Sequence, residues 1–432
     1  MLFLFYFAMM KKRFYLSLLT LFFFSAKTFS QKEVFLFAQN ATKEKRAQEY
    51  RNLVNNSINK NLSLPLTDST EENWQDAFEA LQYINHSSLW VYNKIKLAFF
   101  DSLEKRSTGF QRSLLNLAYS NYRGKFVEPA YWLMKRTKDP GIFATAAEYY
   151  LAGNKDLNAW NKVVQAFSKR ADKDDNIPVY YGLLTGLISG YSDKKDISSF
   201  FAKLKNSGPG HVLLISFQRK NRNYPGSAVI RDNMGNFIKT DKGDIFSVPQ
   251  LARSHSNMPF YLSNGNTPQG IFRMDGFDVS KSMAIGPTTN IQLMMPYETT
   301  PRYFLNDPSI EDTTWSEDIY RRLLPEPLKE YMPLYESFYA SKAGRTEIIA
   351  HGTTVNTEYY KGLPWYPFTP TEGCLCTKEI WSTVDGKRLE SDQQKLVNVL
   401  KAAGGANGYC IVIEIDDQQK PVNLNDILFY LK

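Results

Sequence analysis

Two short stretches carry the residues best suited to covalent chemistry. One is Ile348-Ile349-Ala350-His351-Gly352-Thr353, and the other is Thr371-Glu372-Gly373-Cys374-Leu375-Cys376-Thr377. A thiol is a good nucleophile only as the thiolate, and a nearby imidazole can take its proton. A glycine before the nucleophile lets backbone N–H groups approach a developing oxyanion. Cys374, His351 and Gly373 are therefore the candidate catalytic residues. The spacing alone does not decide this, because a lone Cys is more often a small buried hydrophobe. A lone His is likewise more often structural.

The elements around these residues are short and strand-like. An apolar strand over 348–350 delivers His351, and Cys374 sits in a polar turn. Upstream, Ser263-Asn264-Gly265-Asn266-Thr267-Pro268-Gln269-Gly270-Ile271-Phe272 predicts a strand, a tight turn and a second strand. The run His211–Phe217 is apolar and bounded by turn residues, which predicts another strand. Further strands are expected over 227–231, 236–239, 259–262 and 410–415. Helices are expected near 316–324 and 395–403.

Before Gly208-Pro209-Gly210 the pattern is helical. Trp74, Ala77, Phe78, Leu81 and Ile84 share one helix face, as do Ala144, Ala147, Tyr150 and Leu151, and then Trp160, Val163, Val164 and Phe167. The fold class expected is α+β. A helical domain, solenoid-like but without a strict repeat, spans 31–207. A mainly β domain spans 208–432 and carries a partly helical insertion over 287–343.

The N-terminus reads as an export signal. Lys11, Lys12 and Arg13 precede an uncharged run over 14–24, with Thr28 and Ser30 at the small positions before a cut at Gln31. That run is too short for a spanning helix, which needs about 20 residues. The expected mature protein is exported to the periplasm or cell envelope and has no membrane span. The 432 residues include three Cys, too few for a disulfide scaffold or a four-thiolate zinc site. The difference between 52 Lys+Arg and 44 Asp+Glu is a net charge of +8. That excess suits an anionic partner and identifies none. No nucleic acid, metal or cofactor is expected.

Taken together, the motifs resemble the YkuD-type L,D-transpeptidase family. Thr267-Pro268-Gln269-Gly270-Ile271-Phe272 is similar to its upstream segment, and His351-Gly352-Thr353 to its His-Gly-Thr segment. Thr371, Gly373, Cys374 and Leu375 match four positions of its Ser/Thr-His-Gly-Cys motif and the apolar residue that follows it. The resemblance covers the C-terminal half. It implies a mostly β catalytic domain whose strands curl around a Cys/His site. It also implies acyl transfer between peptidoglycan stem peptides, ending in a 3→3 cross-link. Cys374 would be the nucleophile and His351 the base. Gly373 and Cys374 would supply oxyanion donors. Gly352, Thr353, Thr371, Glu372, Tyr360 and Trp365 would bind substrate. The same acyl-enzyme given up to water would make an L,D-carboxypeptidase or endopeptidase. A third reading is an inactive wall-binding protein, with the helical domain engaging a cell-wall protein.

The chain departs from that family at the site. Glu372 stands where the second His is usual, and Cys376 where Arg or Asn is usual. The span from His351 to Cys374 is longer and holds Tyr359, Tyr360, Trp365, Tyr366 and Phe368. These aromatics make either a substrate wall or a packed loop. The 287–343 insertion, with Trp315, Tyr320, Arg321 and Arg322, is either a lid or a surface decoration. A Cys376–Cys410 disulfide is one arrangement open to an exported chain.

Overall fold

The computed structural model describes residues 36–185 and 210–431, apart from 102, 155, 171–175, 325 and 327. The expected export signal and the expected boundary at 207/208 lie outside them. Ten strands form β1 (Leu213–Arg219), β2 (Gly226–Arg231), β3 (Ser247–Leu251), β4 (Gly270–Asp278) and β5 (Asn290–Met294), then β6 (Ile349–His351), β7 (Leu375–Thr377), β8 (Glu379–Trp381), β9 (Arg388–Ser391) and β10 (Tyr409–Asp416). Eight of them close into a barrel in the order β1-β10-β4-β5-β6-β7-β3-β2, while β8 and β9 pair separately. The pairs β1–β10 and β6–β7 are parallel, and the other barrel pairs are antiparallel.

Alternation along each strand sorts the side chains between the two faces. Leu214, Ile230, Val248, Phe272, Leu293, Ala350, Leu375 and Val412 belong to one apolar cluster that draws on all eight barrel strands, so this face is the barrel interior. Leu396, Val397 and Leu400 of the Asp392–Ala402 helix join it. The outer face of β1, β4 and β10 is apolar too. Leu213, Ile215, Phe217, Ile271, Ile411 and Ile413 pack into a second cluster shared with the helices. Burial on both faces explains why β1 reads as a continuous apolar run rather than an alternating one.

The helical part follows its sequence signals. Trp74, Ala77, Phe78 and Leu81 are buried on one face of the Glu71–Tyr83 helix. Ser107 caps the Thr108–Asn121 helix through the Phe110 N–H, and Asp139 caps the Pro140–Gly153 helix through the Ile142 N–H. These helices do not stand apart from the barrel. Residues Leu36–Lys432 form one compact unit. Tyr360 Oη donates to Tyr83 O at 2.9 Å, Tyr180 Oη to Ala343 O at 2.8 Å, and Tyr261 Oη to Glu148 Oε2 at 3.0 Å.

Several expectations change. Residues 259–262 form a turn, not a strand, and 236–239 make only isolated bridges, Phe237 with Arg231 and Lys239 with Ile245. The 287–343 segment opens with β5, a barrel strand, so it is not wholly an insertion. Trp315 and Tyr320 are buried, and Tyr320 Oη accepts from the Ile271 N–H at 3.0 Å. Tyr320 thus clads β4, and Trp315 packs against Phe304, Tyr320 and Phe338 rather than offering a free surface. Among the described residues no helix is long and apolar enough to cross a membrane.

Candidate active site

The turn that carries the candidate nucleophile, Thr371-Glu372-Gly373-Cys374, is built by small residues in close contact. Thr371 Oγ1 accepts from the Gly373 N–H at 3.0 Å and donates to Cys374 O at 3.0 Å. Gly373 has φ +116°, and Arg345 Nη2 and Gly265 O occupy the space a Cβ would need. Thr267 Oγ1 donates to Gly373 O at 2.8 Å. The upstream motif is therefore clasped directly against the nucleophile turn. One expectation needs correcting: the Gly373 N–H is engaged by Thr371, so oxyanion binding through it would have to break that bond.

Strand register places the thiol and the imidazole. Ala350 stands opposite Leu375 and His351 opposite Cys376. Ala350 and Leu375 face the barrel interior, so alternation puts His351 and Cys374 on the outer side. They are offset by two residues, about 6.6 Å along the strands. The Ile349 N–H donates to Cys374 Sγ at 3.4 Å, and the thiol lies 3.7 Å from Glu347 O. Its hydrogen bonds thus go to the backbone before His351, not to the ring. His351 is buried, and its Nδ1–H donates to Gly352 O. That bond fixes the tautomer and leaves Nε2 as the basic nitrogen.

Electrostatics set the resting state. Burial pushes the Cys374 thiol up to about 11, while the Ile349 N–H and the Arg345 guanidinium act against that rise. Burial holds the His351 ring below its ordinary value, so it rests neutral. The pair is therefore thiol and imidazole, not thiolate and imidazolium. Alkylation of Cys374 by iodoacetamide should accordingly stay slow at pH 7 and keep accelerating beyond pH 9. A rate that levels off near pH 7 would mean a preformed thiolate.

Two residues that the sequence did not single out complete the site. Arg345 is 5 % exposed and donates to Phe260 O, Gly265 O and Asn266 O, the last at 2.6 Å. Glu379 is buried behind the His351 strand, with its carboxylate at the Gly352 Cα. It accepts from Thr288 Oγ1 at 2.6 Å and from Ser391 Oγ, and burial pushes its carboxyl up to about 7. An isolated Arg in a turn and an isolated Glu in a short strand give no sequence signal of such roles.

The remaining predicted binding residues divide. Thr371 and Glu372 belong to the nucleophile turn. Gly352 is pressed against Glu379. Thr353 is buried, donating to Ala284 O at 3.3 Å and accepting from Thr369 Oγ1 at 3.1 Å. Tyr360 and Trp365 are buried in a small cluster with Leu251, Val355 and Phe368. The Arg253 guanidinium lies 3.7 Å from the Trp365 ring centre. The loop before Cys374 is thus packed by its own aromatics. All three cysteines are free. Cys410 faces the barrel interior and Cys376 lies against Thr369 on the other side, so the Cys376–Cys410 disulfide is not formed. His255 lines a cavity beside Glu372, and burial with Arg253 lowers its pKa to about 3. No family model, no curated protein and no solved structure matches this chain.

Proposed function

We propose that the chain is an exported cysteine acyltransferase acting on peptidoglycan stem peptides, with 3→3 cross-links as its product. The observation that carries the reading is the pairing of β6 with β7. Two neighbouring parallel strands send His351 and Cys374 out on the same face, and the Thr267 turn is tied to the glycine before the thiol. The motif resemblance supplies the substrate class.

In the first half-reaction the Cys374 proton passes to His351 Nε2 as sulfur bonds to the stem carbonyl. The C–N bond to the terminal D-residue then breaks, and the leaving amine takes the proton from His351. In the second half-reaction an acceptor amine bonds to the thioester carbonyl and the C–S bond breaks. The amine's proton returns through His351 to the thiolate. A resting thiol with a pKa near 11 makes His351 essential to the first step, because little thiolate exists without it.

Incubation with disaccharide-tetrapeptide, read by mass spectrometry, tests this. Dimers lacking one terminal D-residue are the expected product. Tripeptide alone would reassign the protein as an L,D-carboxypeptidase. Unchanged substrate would overturn the enzyme reading and leave a wall-binding role.

A further inference from the structure

Behind the candidate base stands a buried carboxylate at which two hydroxyls are aimed. Glu379 is 5 % exposed. Thr288 Oγ1 accepts from Arg388 Nη1 at 3.0 Å, and Ser391 Oγ accepts from the Gln394 N–H at 2.8 Å. Each hydroxyl therefore has its own proton left to donate, and both donate to Glu379 Oε1. The other oxygen, Oε2, has no hydrogen-bond partner among the described residues. A proton placed on it would find no acceptor, so the ionised carboxylate is the form these neighbours fit.

A second observation shows what the carboxylate faces. Both of its oxygens lie where a Cβ on residue 352 would stand, so glycine is what admits them. The carbonyl of that same residue takes the His351 Nδ1–H. The Gly352–Thr353 peptide is trans, so its N–H points away from the ring as its C=O points toward it. The Thr353 N–H acts on the Glu379 carboxylate and opposes the rise that burial imposes, without closing a full hydrogen bond. Imidazole, peptide group and carboxylate thus stand in series. A base that activates a nucleophile is held by a third group, and hydrogen-bonding groups in series polarise one another.

We propose that Glu379 is a positioning residue for His351: acting through the Gly352–Thr353 peptide group, its carboxylate fixes the Nδ1–H tautomer and stabilises the imidazolium formed when Nε2 takes the Cys374 proton. The stabilising half of this role rests on the acyl-transfer reading, whereas the linkage between carboxylate and ring does not. Burial raises the Glu379 carboxyl to about 7, so its negative charge is present above that pH and is lost as the pH falls through it. The ring's own titration lies lower, because burial depresses it. Two other charged groups flank the series. Arg388 acts on Glu379 from the Thr288 side, and Glu372, also raised to about 7, acts on the thiol.

Nitrogen NMR of the full chain with labelled histidine reads the linkage, the His351 ring being identified by its loss in His351→Gln. Its Nδ1–H resonance should move downfield in one step as Glu379 ionises, above the pH of the ring's own titration. Glu379→Gln, which keeps the shape and the acceptor oxygen, should abolish that step. Glu379→Asp, with the charge withdrawn by one methylene, should keep a smaller one. A wild-type ring without the step overturns the proposal whatever the variants do. A step that persists in Glu379→Gln would come from Glu372 and would overturn it too. Turnover reads the consequence. Near pH 8.5, Glu379→Gln should lose at least about tenfold in kcat with KM within about twofold of wild type, and the deficit should vanish by about pH 5.5. A deficit of equal size at both pH values would mark a structural residue and overturn the positioning role. A wild type that shows the step but no turnover sinks the acyl-transfer reading alone, and turnover without the step sinks the positioning role alone.

Discussion

Cys374→Ala is expected to reduce conversion of disaccharide-tetrapeptide by at least about 10³-fold, with little change in folding stability. The sulfur is the atom that would carry the acyl group, and nothing nearby can replace it. Cys376 and Cys410 are completely buried, and burial pushes the Cys376 thiol up to about 12. The Cys374 side chain is half-buried and makes only weak backbone contacts at 3.4 and 3.7 Å. Its truncation should shift stability by no more than about 1 kcal/mol. Thermal melting beside a product assay separates the two effects. His351→Ala should lose about 10²–10⁴-fold, as expected for removal of a general base. Unchanged turnover in Cys374→Ala would remove the basis for the acyl-enzyme.

Arg345→Met should be the most damaging substitution to the fold of the site. It would leave Phe260 O, Gly265 O and Asn266 O without their shared donor. Each buried carbonyl left unpaired is unfavourable by about 1–3 kcal/mol, so a loss of at least about 3 kcal/mol is expected. A domain of this kind has about 5–15 kcal/mol in total. The guanidinium also opposes the rise of the Cys374 thiol, so its loss should raise that pKa further and slow alkylation at every pH below it. Arg345→Lys keeps the charge but not the planar fork that reaches several carbonyls at once. It should recover part of the alkylation rate and less of the stability. Chemical denaturation and iodoacetamide kinetics together check both halves. A Met variant as stable as wild type would mean that the turns around 260–266 and 373 hold without the arginine.

Periodicity made the helical region legible. The faces built on Trp74 and on Ala144 are buried as their spacing requires, because a helix brings residues three and four apart onto one side regardless of what it packs against. β1, β2, β10 and the Asp392–Ala402 helix were legible for similar local reasons. The strands missed or misplaced were the short ones. β5 lies in a Pro-rich stretch and looked like the start of an insertion. Residues 259–262 looked like a strand but form a turn whose Phe260 carbonyl is held by Arg345. A three- to five-residue segment carries too little pattern to override its surroundings, and its state is set by the neighbour it pairs with.

The site divides in the same way. The residue types in His351-Gly352 and Gly373-Cys374 are local facts, and a glycine at φ +116° with no room for a Cβ is a demand the sequence meets at that position. Tyr360 and Trp365 are equally visible in the sequence, but which way an aromatic faces depends on contacts far along the chain. Tyr360 reaches Tyr83 O and Trp365 stacks under Arg253, so both are core.

By itself the sequence determined which residue types stand at His351 and Cys374, the glycines beside them and the periodicity of the helices. These depend on one residue's chemistry or on neighbours a few positions away. Tertiary structure alone decided that Arg345 and Glu379 stand behind the thiol and the imidazole. It alone decided that Thr371 takes up the Gly373 N–H, and that Thr288 and Ser391 turn their hydroxyls onto Glu379. Those groups lie far apart in sequence. Only closure of the barrel and its packing against the helices brings their charges and hydrogen bonds within range of one another.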